Sequence, residues 1–151
     1  MIAFKLIHLL AVVLWVGGMF FAYVILRPAA VEVLQPPERL RLWDKVFQRF
    51  FTWVWGAVGI VLVTGFYLIY QYGGMANVSH HIHIMFLLGL MMTVIYAYVF
   101  FGLYVPLNLH VAKERWKEAG ELLGKIRKMV AINLSLGVVT ISVAVIGYAW
   151  N

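Results

Sequence analysis

Between Arg49 and Lys113 the chain carries no aspartate, glutamate, lysine or arginine. A soluble domain has no place for so long an uncharged run, because part of it must meet water. The run is also too long for one membrane crossing, which takes ~20 apolar residues. Gln71, Gly73, Gly74, Asn77 and Ser79 interrupt it near its middle, so it divides into two spans at residues 50–71 and 80–105. Uncharged stretches at 6–26 and 129–151 complete the set, giving spans of about 2–26, 50–71, 80–105 and 128–150. Composition agrees: 64% of residues are apolar and 12% charged, whereas soluble domains run near half and about a quarter. The expected fold is all-α and integral to the membrane, a four-transmembrane-helix bundle forming a single transmembrane domain over 1–151. The first apolar stretch exceeds the 7–15 residues of a cleaved signal peptide's core, so it reads as a retained span.

The charges set the orientation. Every Lys and Arg except Lys5 falls in two segments: Arg27, Arg39, Arg41, Lys45 and Arg49, then Lys113, Arg115, Lys117, Lys125, Arg127 and Lys128. By the positive-inside rule both segments are cytoplasmic and both termini lie outside. The net charge of +6 is thus an address for the membrane, and nucleic acid is excluded as a partner. Pro36-Pro37 stops one element, and Leu42, Val46 and Phe50 then recur at helical spacing. Pro106 is expected to break or kink the third span, and 107–126 mixes Lys/Glu pairs with Val111, Leu122 and Leu123. These segments read as amphipathic cytoplasmic extensions, or as a docking surface for anionic lipid or a partner.

Ionisable groups inside the hydrocarbon region are costly, so they mark candidate sites. The chain has five histidines and no cysteine, which removes thiolate chemistry. His8 lies within the first span, ~9 Å along it at ~1.5 Å per residue; His83 lies ~6 Å along the third, at similar depth. Two imidazoles at one level on different helices can clamp a metal in a bundle. On span one, His8, Ala11, Trp15, Gly18 and Ala22 share a stripe; on span four, Asn133, Gly137, Thr140, Ala144 and Gly147 do so. Gly65, Ala144 and Gly147 reach the level of His8 and His83. Such stripes serve close helix packing, or leave room for a flat macrocycle ~10 Å across, about a helix diameter. One haem b with His8 and His83 as axial ligands is the expected cofactor. Lys5, three residues before His8, pairs with a propionate or snorkels to headgroups. His80, His81, His83 and Met85 form an alternative, copper-binding set, since imidazole and thioether suit that metal. His110 reads as a surface residue.

Lys5-Leu6-Ile7-His8 with Trp15-Val16-Gly17-Gly18, His83-Ile84-Met85, and Ile126-Arg127 with Asn133-Leu134-Ser135-Leu136-Gly137 resemble the small four-helix members of the copper-resistance protein D (CopD)-like superfamily. The resemblance implies a bacterial inner-membrane protein for copper transport or haem b binding, with His8 and His83 as the binding pair. The related HemJ-type protoporphyrinogen oxidases have a similar first span and a lysine two residues after the third span's histidine, where this chain has Met85.

Together these point to electron transfer through one bis-histidine haem, with CopD-like copper transport or handling at the periplasmic face and a HemJ-like porphyrinogen oxidase, an oxidoreductase, as alternatives. The partners implied are membrane lipid, a redox partner or quinone, and a second copy in a homodimer.

Overall fold

The computed structural model describes residues 1–149. Trp150 and Asn151, placed by the sequence at the end of the fourth span, lie outside the described residues. Four helices make up the chain: α1 Ile2–Val33, α2 Pro36–Gln71, α3 His80–Ala112 and α4 Trp116–Ala149. No strand occurs among the described residues, and each helix is long and apolar enough to cross a membrane. This is a multi-pass membrane protein with the expected four-helix bundle.

The helices exceed the spans read from composition. At 32 to 36 residues they run ~48–54 Å, against a hydrocarbon core ~30 Å thick. The surplus on α2 is the amphipathic segment itself, which continues without a break from Pro36 into the span. Pro36 sits in the first turn, where its missing N–H costs nothing. Gly73 and Gly74, at φ 89° and 88°, make the turn between α2 and α3; side chains with a Cβ avoid that region.

Pro106 does not break α3. A π-helical turn, Val99–Tyr104, precedes it, and the same device at Phe21–Leu26 precedes Pro28 in α1. Proline lacks an N–H and its ring clashes with the carbonyl four residues back. The widened π turn moves that carbonyl away and lets the helix continue.

The two halves of the bundle pack differently. α1 lies along α2, and the first part of α3 along α4. Toward the basic end the interior is filled by aromatic rings: Phe51 has Tyr104 at 4.9 Å, Phe100 at 5.5 Å and Tyr96 at 5.6 Å between centroids. The Tyr96 hydroxyl donates to the Phe51 carbonyl at 3.1 Å. Leu107, Ile126 and Val54 are sealed there, while Trp53, Val63 and Val94 face outward as lipid-facing residues do. Gly137 marks the crossing point: a Cβ there would lie 2.9 Å from Val16 and 3.3 Å from Met92, so α1, α3 and α4 converge on its bare backbone. Past Gly137, toward the termini, the interior opens.

Candidate functional site

The opening is a cavity of about 650 Å³ between all four helices. Its wall is largely apolar, and its polar and soft atoms come from few side chains. They are Lys5, His8 and Trp15 of α1, Tyr72 after α2, His81, Met85 and Met92 of α3, and Thr140 and Tyr148 of α4.

His8 is half-buried and its ring is fixed by α2. Nδ1 lies 2.7 Å from Thr64 Oγ1, and the Thr64 hydroxyl donates its proton to the Ile60 carbonyl one turn back. A hydroxyl has one proton, so Thr64 accepts from Nδ1–H and the lone pair falls on Nε2. That is how a histidine is prepared as a metal ligand, its second nitrogen held by an outer partner. Gly65 supports the ring from below: a Cβ there would sit 3.6 Å from His8 Cε1.

On α3, His81 and Met85 stand four residues apart, on one helical face, and both line the cavity. Gly147 of α4 lies directly against His81; a Cβ at that position would overlap the His81 side chain at Cβ and Cγ. Ala144, one turn nearer the floor, lines the cavity with its methyl. Met92 reaches the cavity floor, 4.0 Å from the Thr140 hydroxyl. Trp15, 2% exposed, contributes an indole N–H with no acceptor among the described residues. Such a buried donor is available to an occupant of the cavity. The Trp15 ring meets Tyr96 edge-on at 5.9 Å, which ties the cavity floor to the aromatic half.

Several expected site residues stand elsewhere. His83 does not join His8. It is exposed, its Nδ1 lies 3.2 Å from the Ser79 carbonyl, and its ring is 6.4 Å from that of His80, also exposed. Two positions along a helix turn a side chain by roughly 200° at 3.6 residues per turn, so with His81 facing inward His83 faces out. The expected copper set divides in the same way, His81 and Met85 inside, His80 and His83 outside. Gly18 is a packing glycine: a Cβ there would lie 2.6 Å from Phe50 Cε2. Lys5 is exposed at the rim, its Nζ 5.4 Å from the centre of the Tyr72 ring. Asn133 lies outside the cavity wall, buried, with its Oδ1 unpartnered among the described residues. His110 is half-buried with Nδ1 enclosed, not a plain surface residue.

Sequence reasoning missed two buried polar residues: Thr64, the partner of His8, and Asp44. Asp44 sits at 5% exposure in the basic half, and Asn108 Nδ2 donates to its Oδ1 at 2.8 Å. Its place in a charged segment hid its burial.

No three of the described His, Asp and Glu side chains converge on a metal-sized point. Among the described residues the cavity's metal-type donors are two imidazoles and two thioethers, with no carboxylate, in an apolar setting. Fold and cavity together define a four-helix membrane protein with a soft-donor chamber in one half. Residues 44–146 match the copper resistance protein D family, and the chain belongs to that family. Searches of curated proteins and of solved structures return no match.

Proposed function

We propose that the protein handles copper within the membrane, with copper(I) as cargo bound by His8, His81 and Met85. The observation that carries this reading is that these three side chains, from two helices, open onto one apolar chamber. Neutral imidazole and thioether are soft donors matched to copper(I). A monovalent ion is also far less costly to bring into an apolar site than a divalent one, because the desolvation penalty rises with charge. Family membership supports the same cargo. With the basic end cytoplasmic by the positive-inside rule, the chamber lies toward the outer face of a bacterial inner membrane. Copper then enters from that side.

The test is competition for copper(I) against a chromophoric chelator, using full-length protein in detergent. One copper(I) per chain is expected, with affinity falling at least tenfold in His8→Ala, His81→Ala and Met85→Leu. Unchanged affinity in the His8→Ala/His81→Ala double variant overturns the assignment.

The chamber's volume favours a second reading, a resident haem b. At about 650 Å³ it falls within the ~300–1,000 Å³ of small-molecule sites. His8 and His81 are the two imidazoles that could hold such a group, and haem would supply one-electron chemistry. Protein expressed with ample haem would show a Soret band that sharpens on dithionite reduction and is lost in His8→Ala. Colourless protein removes this reading and leaves the copper one in place.

A further inference from the structure

At the basic end α1, α2 and α4 enclose a second cavity of about 170 Å³. Three guanidinium side chains from three different helices line it: Arg27 of α1, Arg39 of α2 and Arg127 of α4. Arg27 and Arg39 are half-buried and Arg127 is exposed. None of the three has a salt-bridge partner among the described residues, where the recorded ion pair is Arg41 with Glu114 at 3.0 Å. Three like charges line one cavity with no carboxylate among its described lining residues, and clefts lined by one sign of charge attract the opposite ion.

Two features of the backbone shape this place. The π-helical turn Phe21–Leu26 ends immediately before Arg27. Such a turn holds one extra residue, which rotates everything after it by about 100° relative to a regular α-helix. It sets the direction in which Arg27 leaves α1, and the guanidinium lies 4.8 Å from the centre of the Tyr23 ring, another lining residue. On α4, Gly120 and Gly124 line the same cavity one turn apart, and a Cβ at either would meet nothing within 4 Å. Bare backbone there keeps the space open.

We propose that this cavity binds a phosphate ester, gripped by Arg27, Arg39 and Arg127. Guanidinium forks match phosphate oxygens bidentately and keep their charge at any working pH. At about 170 Å³ the cavity is smaller than the ~300–1,000 Å³ of drug-sized ligand sites, which suits a phosphate with a short polar attachment. Phe47 and Val130 give the wall an apolar part, suited to the start of an acyl glycerol. The phosphate comes either from an anionic phospholipid of the leaflet at the basic end or from a free phosphate in solution.

The experiment uses delipidated full-length protein. Mixed micelles containing phosphatidylglycerol or phosphatidylcholine are followed by native mass spectrometry for retained lipid. Inorganic phosphate and glycerol phosphate are followed by phosphorus NMR line broadening. The variants are Arg27→Gln/Arg39→Gln/Arg127→Gln and, as a control of equal charge, Lys117→Gln/Lys125→Gln/Lys128→Gln. Retention of phosphatidylglycerol at least tenfold above phosphatidylcholine, lost in the arginine variant and kept in the lysine control, assigns a lipid headgroup. Broadening by soluble phosphate lost only in the arginine variant, without lipid preference, assigns a free phosphate. Binding of neither probe, or equal loss in both variants, overturns the proposal. Should the triple arginine variant fail to fold, Arg127→Gln carries the test alone, since its side chain is exposed; a threefold or greater loss is expected, and none overturns it.

Discussion

Thr64 of α2 decides which nitrogen of His8 on α1 is free: with its own proton given to Ile60, its oxygen accepts from His8 Nδ1–H at 2.7 Å. The bond links the two helices at the level of the chamber and turns a histidine into an oriented donor. Thr64→Val keeps the shape and removes the acceptor. Outer partners of metal-binding histidines are worth about 10–100-fold in metal affinity, so copper(I) affinity should fall by that factor in chelator competition. His8→Ala should cost more than Thr64→Val. Equal affinity in Thr64→Val and the parent protein means that the bond has no part in binding.

The α3 histidines separate by phase. His81 faces the chamber, whereas His80 and His83 stand outside it. Changing His80 and His83 together to alanine should leave copper(I) affinity within twofold of the parent, while His81→Ala alone lowers it at least tenfold. The reverse ranking would place the metal on the exposed pair at the helix start. Circular dichroism of each variant checks that the helix is intact.

How far the sequence reaches is clear from these same residues. The four spans were legible because a charge-free run between Arg49 and Lys113 has one home, inside a membrane. His8 stood out as a polar group isolated in an apolar span. That His81 rather than His83 faces the chamber was not legible for a physical reason: α3 is apolar around its whole circumference, so no polar stripe fixes which face turns inward. A signal was present in the spacing of His81, Met85, Gly89 and Met92, all of which line the chamber. The π-helical turns alter the helical phase before Pro28 and Pro106, and no periodic pattern reports them. Gly18 and Gly137 look alike in sequence, yet one lies against a Phe50 ring and the other at a three-helix crossing. Only tertiary contacts tell them apart.

The chamber depends on two glycines in different ways. At Gly137 an added Cβ would press on Val16 at 2.9 Å and Met92 at 3.3 Å, so Gly137→Val forces the crossing apart. Overpacking of that kind costs about 1–3 kcal/mol, seen as a lower thermal midpoint in detergent. At Gly65 an added Cβ makes ordinary contact with His8 at 3.6 Å. Gly65→Ala should therefore be near neutral in stability, and Gly65→Leu should fill the chamber beside the ring. For Gly65→Leu the expected result is an unchanged midpoint with at least tenfold weaker copper(I) binding. A midpoint as low as that of Gly137→Val would show that the chamber wall is already close-packed there.

Asp44 and Asn108 join α2 to α3 in the aromatic half, where the Asp44 carboxyl accepts from Asn108 Nδ2 at 2.8 Å. Asp44 is 5% exposed, so water cannot replace a lost donor without disturbing the packing. Asn108→Leu keeps the volume and strips the donor, leaving a buried acceptor unmet at about 1–3 kcal/mol. Asp44→Asn can still accept from Asn108 through its amide oxygen and should cost less. In Asp44→Asn/Asn108→Leu the amide has no partner, so the pair should be non-additive, as neighbours in one bond are. Thermal midpoints of the two single variants and the double measure that coupling. If Asn108→Leu is as stable as the parent, the bond does not hold α2 against α3, and the surrounding rings, Phe47 and Tyr104 at 6.0 Å among them, hold it without help.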